Sequence, residues 1–173
     1  MVIAFLIAAC LAILSSTMVI TCAHAIHALL YLILSFISVA VIFFILGAPF
    51  AAALEVIIYG GAIMVLFIFV IMMLDLHRSL RQEKDYLRPT AWVVPCIMTL
   101  ILGAEVIYVT AFTGASTTIG STVTPKQVGV SLFGPYLLGV ELASVLLLAG
   151  LVGAYHLAHH LLRRARYEED ERT

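Results

Sequence analysis

The apolar residues of this chain come in long, nearly unbroken runs. Five stand out, from about Val2 to Ile20, about Ala28 to Leu46, about Ala51 to Leu74, about Thr90 to Phe112, and Pro135 to about Leu162. A hydrocarbon core about 30 Å thick takes roughly 20 helical residues to cross. Backbone groups in lipid must be paired internally, so these runs are expected to be helices rather than open strands. The pattern predicts an all-α integral membrane protein with five transmembrane helices within residues 1–162 and a charged cytoplasmic tail over 163–173.

The connections differ in kind. Thr21 to His27 is short and uncharged, and holds His24 and His27 in a first loop. Gly47-Ala48-Pro49 reads as a tight turn, with glycine and proline ending one helix and releasing the next. Asp75 to Pro89 is a charged loop, and Thr113 to Gly134 is a Ser-, Thr- and Gly-rich loop whose one charge is Lys126. No internal repeat appears, so an inverted-repeat transporter is not suggested.

Charge sets the expected orientation. Arg78, Arg81, Lys84 and Arg88 lie in the third-to-fourth loop, and Arg163, Arg164, Arg166 and Arg172 in the tail. With five spans these eight share one side and only Lys126 lies on the other, so the N-terminus is expected outside and the C-terminus in the cytoplasm. A four- or six-span arrangement would put the two basic clusters on opposite faces.

Composition agrees with a membrane reading. The chain is 64% apolar and 11% charged, against about 25% charged in soluble domains. Its formal net charge is -1, with no basic stripe, which argues against nucleic-acid binding. Cys10, Cys22 and Cys96 are scattered without zinc or iron–sulfur spacing and read as packing residues. The N-terminal apolar run lacks a basic flank and extends through Ile20, so it reads as a retained first helix rather than a signal peptide.

Charged groups in lipid cost at least about 2.5–3.5 kcal/mol on insertion scales, so each asks for a reason. Three acids fall inside the expected spans: Glu55, Glu105 and Glu141. Either they carry protons or a coupling ion, or they are neutral acids hydrogen-bonded to a neighbouring helix. Asp75 reads as a helix-end anchor. Glu55 and Tyr59 are four apart and share a helical face. Gly60 and Gly61 follow at once, and two adjacent glycines permit either a π-bulge or close helix packing. Gly61→Val is expected to favour the regular helix, by stiffening the turn and filling the space a bulge uses. His24 and His27, with His156, His159 and His160 on the same expected side, read as interfacial anchors rather than haem or metal ligands.

The stretches His27–Leu76 and Leu132–His156, with the first helix and the Trp92–Pro95 region, resemble the J subunit of bacterial proton-pumping NADH:quinone oxidoreductase, respiratory complex I, the homologue of mitochondrial subunit six. The run EVIIYGGAIMVLFIFV is long and specific. The resemblance implies a bacterial inner-membrane subunit of a translocase, with five helices and neither a redox cofactor nor a complete active site in this chain. Flavin, iron–sulfur clusters and quinone are expected in partner subunits. The expected partners are membrane-arm subunits, both quinone-site and antiporter-like, together with the lipid bilayer. It further implies a π-bulge in the third helix that relaxes to α-helix and gates a proton path, linking quinone reduction to proton transfer. Here that gate maps onto Tyr59, Gly60, Gly61, Met64, Val65 and Phe67, and the proton path onto Glu55, Tyr59 and Glu141. Glu105 falls in no motif of the family. The competing readings are a subunit of a related membrane-bound hydrogenase or cation antiporter complex, and a stand-alone small transporter.

Overall fold

The computed structural model describes residues 1–22, 24–75, 89–112 and 122–170. They form two compact units, Met1–Thr124 and Pro125–Thr173, and among the described residues there is no strand. Five helices are long and apolar enough to cross a membrane: Val2–Thr21, Ala25–Ile45, Pro49–Met73, Trp92–Ala111 and Leu137–His159.

In the first unit, α1 (Val2–Thr21) buries Ala4, Ala8, Leu11 and Ser15, a single face of small and medium side chains. Small residues let a second backbone approach closely. That second helix is α2 (Ala25–Ile45), which returns alongside α1. The pair is pinned where Ser16 Oγ meets Ser35 Oγ at 2.9 Å and Ser35 Oγ donates to the Ala12 carbonyl at 3.4 Å. The α2 helix begins three residues before its apolar run, so His27 stands inside it and is buried, not in the loop expected from the sequence.

The α2 helix ends at Ile45 and the chain turns at Gly47, whose φ of 86° suits glycine. The Ala48 N–H turns back to the Phe43 carbonyl at 2.9 Å, and Pro49 starts the next helix at a position that needs no donor. The third span has three parts: α3 (Pro49–Leu54), a π-helical segment (Glu55–Ile63) and α4 (Met64–Asp75). Then α5 (Pro89–Phe112) completes the core, setting Met98, Leu102 and Val109 against Ala4, Ala8 and Leu11 of α1 and Tyr31, Leu34, Val41 and Ile45 of α2. Pro95 lies inside α5, and Thr99 Oγ1 donates to its carbonyl at 2.7 Å.

The second unit holds α6 (Pro125–Leu132) and α7 (Leu137–Asp170). The short α6 falls in the stretch read from the sequence as loop, because eight residues of mixed polarity give no membrane signal. Between the two helices, a β-carbon at Gly134 would stand 2.8 Å from the Val130 carbonyl oxygen, closer than side chains tolerate. Glycine is therefore required at that corner.

Arg78, Arg81, Lys84, Arg88 and Arg172, which carry the orientation argument, lie outside the described residues, as do the side chains of Asp75, His160, Arg163, Arg164 and Arg166. The exposed faces define what surrounds the chain. Almost no residue of the third span is buried, and none of the fifth is buried within its own unit. A Leu or Phe left in water forfeits roughly 1.5–3 kcal/mol, so such faces persist only against lipid or other protein.

Candidate functional site in the third span

The sequence of the π segment is EVIIYGGAI. At its start the Glu55 N–H still points to the carbonyls of Ala51 and Ala52, four and three residues back. At its end the Met64 N–H reaches the carbonyl of Tyr59, five residues back, and also that of Gly61. The hydrogen-bond ladder has therefore slipped by one residue between Leu54 and Met64. Such slips are rare and concentrate at functional sites. The wide helix begins one turn before the glycine pair and stops at Ile63. Met64, Val65 and Phe67 consequently lie in regular α-helix beyond it.

Glu55 opens the segment and is half-buried. Tyr59 is partly exposed, and its ring lies 5.1 Å from that of Phe36 on α2, tilted by 38°. In a π geometry the hydrogen-bond partner of the Glu55 carbonyl is residue i+5, Gly60, while Tyr59, four residues on, stays on the same face as Glu55. Beyond the segment the expected gate residues separate. Met64 is buried at 1% exposure, whereas Val65 and Phe67 point outward. A one-residue change of pairing turns the helix by about 100°, which would bring Val65 or Phe67 toward the place Met64 now occupies.

Space for such a change is present. A cleft of about 350 Å³ runs beside the segment's first turn, lined by Ile37, Phe44, Ala52, Val56, Val106 and Val109 among others. A β-carbon at Gly60 would meet nothing within 4 Å, and one at Gly61 would meet only the Val56 carbonyl oxygen at 3.6 Å, an ordinary contact. A methyl group at either position therefore fits the π form. Any preference of Gly61→Val for regular helix comes from its restricted χ1 and its γ-methyls, not from the first carbon.

Glu141 stands in the other unit, exposed on α7, where Ser144 Oγ donates to its main-chain carbonyl at 2.7 Å. All described side chains of α7 are exposed except the half-buried Val140. Among the described residues no three His, Cys, Asp or Glu side chains group as a metal site would require. Two features escape sequence reasoning. Phe36, the ring against Tyr59, is one of many phenylalanines in apolar runs and carries no distinguishing signal. Glu105 is the most buried acid described, at 6% exposure, with neither carboxyl oxygen hydrogen-bonded. Its burial is a property of α1–α2–α5 packing that no local pattern shows.

Five apolar spans, one interrupted by a π segment that starts on an acid, define a multi-pass membrane protein. The chain belongs to the family of NADH-ubiquinone/plastoquinone oxidoreductase chain 6, whose pattern matches residues 15–157. It is 54% identical over 156 residues to the NADH-quinone oxidoreductase subunit J of Pseudomonas aeruginosa, covering 89% of this chain and 94% of that one. It is 49% identical over 154 residues to the subunit J of Escherichia coli K12, covering 88% and 84% respectively. A Buchnera aphidicola subunit J is 49% identical over 148 residues, covering 85% and 91%.

Proposed function

We propose that this chain is the coupling element of a bacterial inner-membrane NADH:quinone oxidoreductase. It links quinone reduction elsewhere in the complex to proton transfer by switching its third span between π and α forms. The observation that carries this reading is the π segment Glu55–Ile63, with Glu55 and Tyr59 on one face and Gly60-Gly61 at its centre. In lipid, an irregular ladder is tolerated only beside protein or water, so this segment faces a partner subunit or a hydrated path. The two forms need only be close in energy for events at a quinone site to bias one over the other. Turning the helix would place a large apolar side chain in the water path or remove it.

The chain holds no complete active site in this reading. Flavin, iron–sulfur clusters and quinone belong to partners, and the membrane-arm neighbours are quinone-site and antiporter-like subunits. Glu55 and Tyr59 exchange protons on the path, with Glu141 contributing from the fifth span.

The test is a pair of variants in the intact complex, reconstituted in vesicles. Gly61→Ala fits the π form and should keep coupled turnover near that of the unmodified complex. Gly61→Val should lower proton pumping and quinone reduction together by about tenfold, the effect of a roughly 1.4 kcal/mol bias between two forms, without loss of assembly. Equal, full turnover in both variants would contradict the switch.

A further inference from the structure

Outside the third span, the polar atoms of the first unit gather in one place. Among the described residues, the buried side-chain atoms without a hydrogen-bond partner are Ser15 Oγ, both ring nitrogens of His27 and both carboxyl oxygens of Glu105. All of them lie in the core shared by α1, α2 and α5. Native interiors rarely leave such atoms unpaired; those without a protein partner hold ordered water.

The same core carries a polar stripe. The α2 helix contains four polar side chains, His27, Tyr31, Ser35 and Ser38, spaced four, four and three residues apart, and all four are buried. They therefore form one face, directed at α1 and α5. His27 marks one end, its ring 5.5 Å from that of Trp92 at the start of α5. Ser15, fully buried, lies on the turn of α1 that Ser35 touches through Ser16 and Ala12. Ser38 Oγ donates to the Leu34 carbonyl at 2.8 Å and keeps its lone pairs free to accept. Glu105 stands on α5 between Leu102 and Val109, in one core with Ala4, Ala8 and Leu11 of α1, and neither of its carboxyl oxygens has a hydrogen-bond partner. Past it the core is closed by Ala4, Ile45 and Val109, all apolar and buried.

We propose that the α1–α2–α5 core is a proton half-channel, running from His27 along Tyr31, Ser35, Ser15 and Ser38 to a proton-loading site at Glu105. Successive groups on the stripe are at most four residues apart, a rise of about 6 Å. One bridging water, making two hydrogen bonds of about 2.8 Å, spans that distance. Each hydroxyl or water accepts a proton on a lone pair and releases its own to the next. The net step forms one O–H bond at the Glu105 carboxylate and removes one proton from the aqueous phase at the His27 end; release is the reverse. Neither α1 nor α2 has an Asp, Glu, Lys or Arg, and Glu105 is the only one in α5, so no fixed charge interrupts the path. The site is independent of the third-span switch, and its test reads exchange rather than turnover.

Infrared difference spectra of the intact complex, unmodified against Glu105→Gln, would isolate the carbonyl band of this acid. The band should shift in D2O, showing that the buried proton exchanges. In Tyr31→Phe and Ser38→Ala variants, which keep shape and remove one hydroxyl each, exchange should slow by at least about tenfold. A Glu105 band that never exchanges, or that exchanges at the unmodified rate in both hydroxyl variants, would overturn the proposal. The first result would leave a static buried acid, and the second would mean another path.

Discussion

The ring of Tyr59 rests 5.1 Å from that of Phe36, tilted by 38°, and so ties the middle of the π segment to α2. Aromatic pairs at this separation contribute about 0.5–1.5 kcal/mol beyond the area they bury. This contact therefore bears on which form the third span takes. Phe36→Leu should loosen it and shift the balance of helix forms, changing coupled turnover by roughly two- to tenfold. Tyr59→Phe keeps the ring and removes the hydroxyl. If the hydroxyl carries protons, pumping should fall while the complex assembles normally. Unchanged pumping in Tyr59→Phe would confine Tyr59 to a packing role.

Glu55→Gln should lower coupled turnover more than Glu105→Gln does. Glu55 opens the π segment, whereas Glu105 sits in a separate core closed beyond it by apolar side chains. Both replacements are close to isosteric, so assembly should survive. Proton-pumping assays on both complexes decide the order; an equal and negligible loss would leave these carboxyls as packing groups.

The glycines of the second unit should respond in opposite ways. Gly134→Ala sets a β-carbon against the Val130 carbonyl oxygen at 2.8 Å and should destabilise the α6–α7 corner by about 1–3 kcal/mol. Gly150→Ala meets nothing within 4 Å in this chain, and alanine is the better helix former by roughly 1 kcal/mol. Impaired assembly in Gly150→Ala would therefore report another helix, of this chain's first unit or of a partner, packed against that position; unimpaired assembly would place it against lipid. Native gel analysis of membranes reads both.

The orientation expected from eight basic residues against one puts the N-terminus outside and the C-terminus in the cytoplasm, and labelling tests it. A cysteine introduced at position 126 should react with an impermeant reagent added from outside, and one at position 81 should not. The reverse labelling would invert the topology.

Much of the fold is legible in the apolar runs alone. They place all five spans within a few residues, because hydrocarbon thickness dictates segment length regardless of packing. The Gly47-Ala48-Pro49 turn is equally plain, since a positive φ and a proline start leave few alternatives. Gly60-Gly61 permits a π-bulge or close packing equally, and the family resemblance is what points to the bulge; its start at Glu55 is signalled by neither, because the slip of the ladder extends a full turn before the glycines. His27 is misplaced into a loop because hydropathy ends a span at the first histidine, while the helix continues through it, with the ring packed at 5.5 Å against Trp92. The α6 helix is eight residues of mixed polarity and gives no membrane signal, and the burial of Glu105 depends on tertiary packing, which leaves no periodic trace in an apolar chain.

The central claim, a third span that switches between two helix forms, is tested most directly by density maps of the intact complex, at rest and during turnover, that resolve Glu55–Ile63. The expected result is two populations. One has the Met64 N–H paired to the Tyr59 carbonyl, as in this structure. The other has it paired to the carbonyl of Gly60 four residues back, with Val65 and Phe67 rotated by about 100°. A segment that stays π-helical in every map, or straight in every map, while the complex pumps at full rate would contradict it.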